Sequence, residues 1–484
     1  MAKSQNRSSR AATQKSSLER GLSLSLAGAR AGGAIAVGKL RKRFGMQSSD
    51  EQDSELLRQQ AEHFVAELGK LKGSYVKIGQ LFAQFGEHFL PRELTNALHE
   101  LGSQTEPLEW SLIEPQLQQA LGGRFDDLNI EPIAFAAASL AQVHRAKVKG
   151  TDETLCLKVL YPGLRETIDS DFDTVVRMLK LGRLLPFNRD LDCWLERMRE
   201  QLHLETDYSR ECIKTLEMTE LVSSLSSGDN NALPAALAVP TVIERFTVGD
   251  VLALEYMTGL TVNAPDVLAL SQRRRNALAK TMLELFFAEV FVWGLIQTDP
   301  NFGNYLIQPS NRLRGEHAEP DRLVLLDFGA CTDPDDNMAT YLGDAVAAGL
   351  ARDKQTLQQA LVDLGCLQAD SAEAAKESFA DLCIAILEPL WPADQLPETC
   401  LNERGQYRWK ESRLMSRAAK QANKASLSIH FELPSAEFTL IARKLIGVFT
   451  FISVLGAEFN GHEIAQRYIA QSKQGPKQAG KNGR

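Results

Sequence analysis

The sequence has no apolar run long enough to cross a membrane as a helix. A hydrocarbon core of ~30 Å requires about 20 consecutive apolar residues. The run from Met282 to Ile296 contains Glu284 and Glu289, and the run from Leu445 to Leu455 has only eleven residues. Both runs are therefore predicted to be buried helices of a globular protein.

Paired cysteines and an excess of positive charge are also missing. The seven cysteines include no Cys-x-x-Cys pair and several lie inside apolar runs, so they are predicted to be buried, reduced thiols. A formal net charge of -8 gives no reason to expect nucleic acid as a partner.

Acidic residues are nearly absent from the first 45 residues. This segment carries ten Lys and Arg residues and one Glu. Its first 20 residues are either a disordered basic arm or a mitochondrial transit peptide, and the sequence leaves open whether residues 1–45 are removed. A basic arm would also suit contact with anionic lipid headgroups at a membrane surface.

The chain divides by composition into five segments. They are a disordered basic extension with a candidate amphipathic segment (residues 1–50), a helical extension (51–125), a small lobe with a sheet and inserted helices (126–258), a mostly helical lobe (259–470) and a disordered tail (471–484). In the helical extension, large apolar residues follow a 4-3-4-3 spacing, which predicts one buried helix face. These residues are Phe64, Leu68, Leu71, Tyr75, Ile78, Phe82 and Phe85.

Short strands are predicted in both lobes. Their ranges are Pro132–Phe135, Ala141–Val148, Thr154–Leu160, Asn304–Gln308 and Leu323–Asp327. A single helix is predicted over residues 191–225. The order of elements, a helical prefix, a small sheet with a helix and then a larger helical lobe, predicts an α+β fold that is bilobal and protein-kinase-like.

Lys158 stands inside one of the predicted strands. The apolar residues of Thr154–Leu160 run continuously around it, which predicts a strand buried on both faces. A buried ammonium requires an anionic partner, and a protein kinase uses such a lysine to hold ATP phosphates while a helix glutamate orients it. Glu211, on the same predicted helix face as Asp207, is the candidate glutamate. The alternative is a lysine at a strand edge that reaches water.

The most specific short pattern combines Asp299, Asn304 and Asp327. Asn304 follows Asp299 by five positions, and the Asp327-Phe-Gly sequence comes 23 positions later. Protein kinases space their catalytic-loop Asp and Asn in this way and place Asp-Phe-Gly after an intervening strand and turn. The pattern predicts that Asp299 is a base or positions water, and that Asn304 and Asp327 hold Mg²⁺ against the phosphates of ATP.

The sequence departs from ordinary protein kinases on either side of this pattern. Gln297 and Thr298 replace the His-Arg pair before the catalytic Asp, and no Ala-Pro-Glu sequence follows Gly329. A protein substrate is therefore less expected.

A glycine-rich phosphate loop is also absent. Its place before Lys158 is taken by Ala136, Ala137, Ala138 and Ser139, which are the candidate phosphate-covering residues. Alanine loses the easy access of glycine to positive φ, so this loop is expected to be stiffer. Taken alone, an alanine-rich stretch is also compatible with simple packing.

Together these residues resemble the UbiB family of atypical kinases, also called AarF-domain or ADCK-type kinases, in the branch associated with coenzyme Q. The motifs that carry the resemblance are Lys77-Ile-Gly-Gln80, Ala136-Ala-Ala-Ser139, Gln142-Val-His-Arg145, Lys158, Glu205-x-Asp207, Glu211, the stretch from Gln297 to Asn304, and Asp327.

The resemblance implies roles for residues outside the kinase core. Lys77 and Gln80 are similar to the KxGQ motif of a helical element that folds over the active site, with Lys77 contacting Glu205. Glu205 and Asp207 would join them as regulatory residues. Glu255 stands where the family's hinge meets adenine. A covering element of this kind would obstruct a peptide substrate.

The resemblance also implies a function. Such proteins act as ATPases or as kinases of small molecules or lipids, and they support ubiquinone and other isoprenoid-quinone biosynthesis at a membrane. The expected ligands are ATP, Mg²⁺ and a lipid or quinone precursor, and the expected partners are a membrane surface and other quinone-biosynthesis enzymes. The location would be cytoplasmic and peripheral to a membrane in a bacterium, or the mitochondrial inner membrane or matrix in a eukaryote.

Two other functions stay open. One is a nucleotide-dependent module that binds or presents lipids and has no dedicated phosphoacceptor. The other is a small-molecule kinase of the aminoglycoside or choline type, which shares the Asp and Asn spacing but not the KxGQ helix or the alanine-rich loop.

Overall fold

The computed structural model describes residues 58–59, 61–66, 68–69, 74–85, 90, 92–99, 107–181, 189–226, 233–311, 319–335, 337–426 and 435–472. The predictions made for residues 1–50 lie outside this part of the chain. The predicted tail also lies outside it, except for residues 471 and 472, which belong to the last helix.

The described elements are mostly helices, with short strands between them. The helices are α1 (Ser74–Phe85), α2 (Arg92–His99), α3 (Trp110–Leu121), α4 (Leu164–Leu181), α5 (Arg189–Glu205), α6 (Tyr208–Ser226), α7 (Pro265–Leu268), α8 (Gln272–Ala288), α9 (Met338–Ala351), α10 (Lys354–Asp363), α11 (Glu373–Ile386), α12 (Leu414–Ser426), α13 (Ala436–Val454) and α14 (His462–Ser472). The strands are β1 (Leu128–Ile130), β2 (Ala136–Ala137), β3 (Ala141–Val148), β4 (Thr154–Leu160), β5 (Ala236–Ala238), β6 (Val251–Glu255), β7 (Ile296–Gln297), β8 (Tyr305–Gln308), β9 (Arg322–Leu325) and β10 (Cys331–Thr332). Each described helix is too short or too polar to cross a bilayer.

The chain forms two compact units. The first contains the described residues up to Arg210 and the segment Val242–Tyr256. The second contains Glu211–Thr241 and the described residues from Met257 onwards. The division falls inside α6, which contributes only its first three residues to the first unit.

The first unit contains an antiparallel sheet in the order β1–β3–β4–β6, with β2 paired to β3. One face of β4 is buried because Leu155, Leu157 and Val159 pack in a core with α3. On the opposite face of β4, Thr154, Cys156 and Lys158 are half-buried, and only Leu160 at the end of the strand is buried. The prediction that both faces of this strand are buried is therefore wrong. An antiparallel strand with one core face explains the alternation.

The predicted strand Pro132–Phe135 is also wrong. Pairing with β3 occurs on either side of it, at β1 and at β2. The Glu131 N–H still donates to Arg145 O, but Pro132 has no N–H to continue the ladder. Pairing resumes when the Phe135 N–H donates to Val143 O.

A helical core makes up the rest of the first unit. The predicted apolar face is confirmed where it is described, since Phe64, Leu68, Tyr75, Ile78 and Phe82 are all buried together with residues of α4 and α5. The ring of Phe82 stacks on that of Phe172 at 6.3 Å and meets the ring of Trp194 edge-on at 5.5 Å.

The helix predicted over residues 191–225 is two helices, α5 and α6. Asp207 lies between them and caps α6, because its Oδ1 accepts hydrogen bonds from the N–H groups of Ser209 and Arg210, both at 3.1 Å. Asp207 and Glu211 therefore do not share one helix face, which corrects the prediction.

The second unit is built around a large helical core with two small sheets. Strands β5, β9 and β8 form one sheet and β7 and β10 the other. The strands predicted near residues 304 and 323 are present as β8 and β9. Helix α8 passes into a π-turn, Glu289–Trp293, which Gly294 ends in a left-handed conformation with φ of 63°.

Candidate active site

Asp299 lies in the loop after β7 in the second unit. This loop is fixed from one side by the segment after Asp327, because Thr298 donates to Ala330 O through both its N–H (2.9 Å) and its hydroxyl (2.7 Å). The strand pair β7 and β10 continues this contact. The Asp299 loop and the Asp-Phe-Gly segment therefore lie side by side.

Asn304 is in direct contact with Asp299. Its Nδ2 donates to Asp299 Oδ2 at 2.9 Å and to Asp299 O at 3.3 Å. A short turn positions Asn304, because Asn301 Oδ1 accepts from the Gly303 N–H at 2.9 Å. Asn304 O in turn accepts from the Leu326 N–H at 2.9 Å, which places it beside Asp327.

Asp327 and Glu211 approach each other at Gly329. The Gly329 N–H donates to Asp327 Oδ1 at 2.9 Å. A Cβ atom at Gly329 would lie 3.3 Å from Asp327 Oδ1 and 3.3 Å from Glu211 Oε2. Glu211 is almost fully buried. The structure therefore brings a second carboxylate to the Asp-Phe-Gly turn, where a side chain at position 329 would crowd it.

The side chains around Asp327 suit a magnesium ion. Mg²⁺ prefers oxygen ligands and is commonly held by one or two carboxylates together with substrate phosphates. Asp327 and Asn304 supply such oxygens on adjacent loops. Within the described residues there is no group of three or more His, Cys, Asp or Glu side chains arranged to hold a metal by themselves. With one carboxylate and one amide oxygen from the protein, a bound Mg²⁺ would take its other ligands from phosphates and water.

Lys158 lies in the first unit, on the half-buried face of β4 between Val143 of β3 and Leu252 of β6. Its Nζ lies 5.4 Å from the centre of the Tyr208 ring, a distance at which a cation and a ring attract each other. Glu211 belongs to the second unit. The pairing of Lys158 with Glu211 stays a prediction.

The alanine-rich segment forms a tight hairpin with β3. Ala136 and Ala137 pair with Val143 and Gln142, and the Ala138 N–H donates to Ala141 O at 2.7 Å. The Tyr161 hydroxyl donates to Ala138 O at 3.1 Å. The backbone from Ala136 to Ser139 has no positive φ, so alanine is tolerated without strain.

Glu255 is the last residue of β6 and is exposed. Its neighbour Tyr256 lies under the guanidinium of Arg145, 5.3 Å from the ring centre, and meets the exposed ring of Phe135 edge-on at 5.8 Å. The predicted role of Glu255 beside adenine stays a prediction.

The contact predicted between Lys77 and Glu205 is present. Lys77 Nζ lies 2.5 Å from Glu205 Oε2, with side chains that are 20% and 18% exposed. Gln80 lies three positions after Lys77 on α1 and is half-buried. The ion pair joins α1 to the end of α5, just before the break that Asp207 caps.

Sequence reasoning missed a buried network behind Asp299. Lys444 of α13 is fully buried, and its Nζ contacts Glu289, Gln297 and Tyr305. Burial raises the pKa of Glu289 to about 7, although the nearby Lys444 opposes this. Burial lowers the pKa of Lys444, but Glu289 and Tyr305 outweigh it and raise the net value. The only signal in the sequence was a glutamate inside an apolar run.

Further interactions were missed as well, two of them between residues that lie far apart in the sequence. Arg443 Nη2 of α13 lies 3.4 Å from Asp299 Oδ1. In the first unit, His144 and Gln142 are fully buried and hydrogen-bonded to each other at 2.8 Å. Gln142 also accepts from the Leu108 N–H at 2.8 Å, which ties the segment before α3 to the sheet.

Comparison with known proteins assigns the fold. The chain is similar to a Mycobacterium tuberculosis protein that was solved in complex with erythromycin, with a TM-score of 0.55, 19% sequence identity and coverage of 88% of this chain and 99% of that one. The predicted kinase-like fold is confirmed by this likeness and by the family match that follows.

Sequence relatives carry kinase names. A probable serine/threonine-protein kinase, abkA, of Dictyostelium discoideum is 28% identical over 83% of this chain and 69% of its own length. The mitochondrial atypical kinase COQ8B of Danio rerio is 28% identical over 71% and 52%. The probable protein kinase UbiB of Vibrio vulnificus is 28% identical over 63% and 54%. The chain thus spans only about half to two thirds of the length of these curated relatives.

The family match covers more than half of the chain. Residues 100–361 match the ABC1 atypical kinase-like domain. This range contains Lys158, Glu211, Asp299, Asn304 and Asp327, and the relatives named above confirm the resemblance to UbiB-type kinases. The chain belongs to the ABC1 atypical kinase family.

Proposed function

We propose that this chain binds ATP together with Mg²⁺ and transfers or hydrolyses its terminal phosphoryl group. The observation that carries the proposal is the direct contact between Asn304 and Asp299, on loops that also adjoin Asp327. The kinase names of the relatives support it.

In this proposal, each carboxylate has a distinct task. The side chain of Asp299 is 38% exposed, so its carboxylate is accessible to a hydroxyl or a water that must lose a proton. Asp327 and Asn304 would hold Mg²⁺, which neutralises charge on the phosphates when it is bound. Lys158 would contact the phosphates, and the hairpin from Ala136 to Ser139 would cover them. The same proposal includes an orienting role for Glu211 and a contact of Glu255 with adenine. It also includes a regulatory role for four residues of the first unit, Lys77, Gln80, Glu205 and Asp207.

The test of the catalytic assignment is Asp299→Asn. This variant keeps the shape of the side chain but removes the base, so Mg²⁺-dependent nucleotide binding should persist while turnover falls by on the order of 10²–10⁴-fold. Asp344→Asn, at an exposed position of α9, is the matched control. Unchanged turnover in Asp299→Asn would reject the assignment.

We also propose that the activity supports ubiquinone biosynthesis at a membrane, with a lipid or quinone precursor as ligand and other enzymes of that pathway as partners. The names COQ8 and UbiB among the relatives support this. Several of these relatives are named as mitochondrial, so an organellar location and a bacterial one at the cytoplasmic membrane surface both fit.

The test is ATP turnover of the purified chain with anionic vesicles and with a soluble phenolic mimic of a quinone precursor. We expect either addition to stimulate turnover. A flat response to both would favour a small-molecule kinase instead. Stimulated ATP turnover without transfer of phosphate to the lipid or to the mimic would favour a nucleotide-dependent lipid-presenting module.

A further inference from the structure

We propose that Lys444, held by Glu289, is a positioning residue that sets the Asp299 loop through the side-chain amide of Gln297. The inference rests on the proposed role of Asp299. It concerns how the second unit keeps the Asp299 carboxylate in place. It assigns a role to a buried ion pair, Lys444 and Glu289, that takes no direct part in the proposed reaction.

The contacts form a continuous path to the backbone of Asp299. Lys444 Nζ lies 3.2 Å from Glu289 Oε2 and donates to Gln297 Oε1 at 2.9 Å. Gln297 Nε2 then donates to the main-chain oxygen of Asp299 at 2.8 Å. Each side chain on this path is buried: Lys444 is 0%, Glu289 1% and Gln297 4% exposed.

The chemistry of the groups makes this path directional. A lysine ammonium only donates hydrogen bonds, so it can bind the oxygen of the Gln297 amide but not its nitrogen. The Tyr305 hydroxyl also donates to that oxygen at 3.2 Å. With both donors on one side, the amide nitrogen must point the other way, towards Asp299 O. The cation therefore decides which way the amide faces.

Holding the Asp299 oxygen restricts the remaining freedom of the loop. The following residue is Pro300, which disfavours helical backbone at Asp299. The Gln297 amide holds the carbonyl oxygen at 2.8 Å, and Asn304 holds the carboxylate through Oδ2 at 2.9 Å. A displacement of about 1 Å at such a group can lower a rate on the order of 10²-fold.

The same helix approaches the loop at two further positions. Gly447 of α13 lies against Pro300, because a Cβ at position 447 would be 2.1 Å from the Pro300 Cβ. Arg443 of α13 reaches Asp299 Oδ1 at 3.4 Å. Lys444 is thus the buried member of a helix face that contacts the catalytic loop.

A purely structural ion pair is the alternative, and the second unit contains one for comparison. Glu284 of α8, which is nearly buried, pairs with Arg467 at 3.0 Å and accepts from the Tyr468 hydroxyl at 3.0 Å. Its described contacts are to α14 and not to the Asp299 loop. Buried ion pairs contribute little net stability on average, so an effect on turnover separates the two roles better than an effect on stability does.

The experiment compares three variants, and a combination of the first two, in the full chain. Lys444→Met combined with Glu289→Gln removes both charges and avoids an unpaired buried one, Gln297→Met removes the amide at similar shape, and Glu284→Gln is the matched control. We expect the first two to keep the Kd for Mg-ATP within about twofold and to lower kcat by at least about tenfold. Combining them should lower kcat no further, since both break one path. Glu284→Gln should keep the kcat of the wild type.

Each outcome decides the matter. A kcat within about twofold of the wild type in Gln297→Met, in an enzyme that Asp299→Asn inactivates, would overturn the positioning role and leave the proposed function intact. Fully additive losses, or an equal loss in Glu284→Gln, would make the pair merely structural. If Asp299→Asn itself retained turnover, the proposed function would fail instead, and the inference with it.

Discussion

Asn304 donates from one amide nitrogen to both the side chain and the main chain of Asp299, at 2.9 Å and 3.3 Å. Because the nitrogen is engaged in this way, the amide oxygen of Asn304 is turned away from Asp299. A single residue can therefore brace the proposed base with its nitrogen and offer its oxygen to a metal ion.

The first prediction follows from this double use. Asn304→Ala should lower turnover by on the order of 10–100-fold and raise the Mg²⁺ concentration needed for half-maximal ATP binding, because both the brace and a ligand oxygen are lost. Turnover and nucleotide binding measured across a Mg²⁺ titration would check this. Asn263→Ala, at an exposed position in the same unit, is the control. A Mg²⁺ dependence identical to that of the wild type would remove Asn304 from the metal site.

The contact between Asp299 and Asn304 could be predicted from the sequence because the two residues are only five positions apart. Five positions on a turn before a strand bring Asp299 and Asn304 together, and an antiparallel strand pair brings Asp327 beside them. Asp207 was placed inside a helix because no proline or glycine marks the break between α5 and α6, and the hydrogen bonds of its Oδ1 reveal the cap. Lys444 could not have been found, since nothing in a helix sequence tells which buried loop a lysine will meet.

The second prediction concerns the ion pair between Lys77 and Glu205. Both side chains are about four-fifths buried, so removal of one charge leaves the other poorly solvated. Glu205→Gln should lower the free energy of unfolding by about 1–3 kcal/mol, measured by denaturant titration. If the KxGQ helix regulates turnover as proposed, the same variant should also change kcat.

An exposed ion pair of the first unit provides the comparison. Glu153 pairs with Arg245 at 3.0 Å, but the side chains are 41% and 52% exposed. Glu153→Gln should therefore change the free energy of unfolding by only about 0–1 kcal/mol. Equal effects of the two substitutions would mean that burial of Lys77 and Glu205 does not strengthen their contact.

The third prediction concerns pH and His144. Burial lowers the pKa of this imidazole, although the hydrogen bond with Glu131 O partly opposes it. A histidine with a lowered pKa in the folded state binds its proton less readily than it does in the unfolded chain, so it stabilises the fold fully above its ordinary value of 6.5. That contribution is lost as the pH falls below that value.

Thermal unfolding at about pH 7.5 and about pH 5.5 tests this. Acidification should lower the melting temperature of the wild type by more than it lowers that of His144→Gln, which cannot titrate. Parallel shifts in the two proteins would show that His144 is not the group responsible.

The fourth prediction uses the close approach of α13 to the Asp299 loop. Alanine is usually the better helix residue by about 1 kcal/mol, so Gly447→Ala would stabilise a solvent-facing helix. Here the new Cβ would lie 2.1 Å from the Cβ and 2.9 Å from the Cγ of Pro300, and a proline ring cannot rotate away. The helix or the loop must move, which should cost about 1–3 kcal/mol of stability and shift Asp299.

Gly123→Ala separates this clash from a general effect of replacing glycine. A Cβ at Gly123 would meet nothing within 4 Å, so stability should change by no more than about 0.5 kcal/mol. Denaturant titration and ATP turnover of both variants provide the measurement. Because Pro300 directly follows Asp299, Gly447→Ala should lose turnover as well as stability. A variant that lost stability alone would show that the second unit absorbs the displacement without moving the carboxylate.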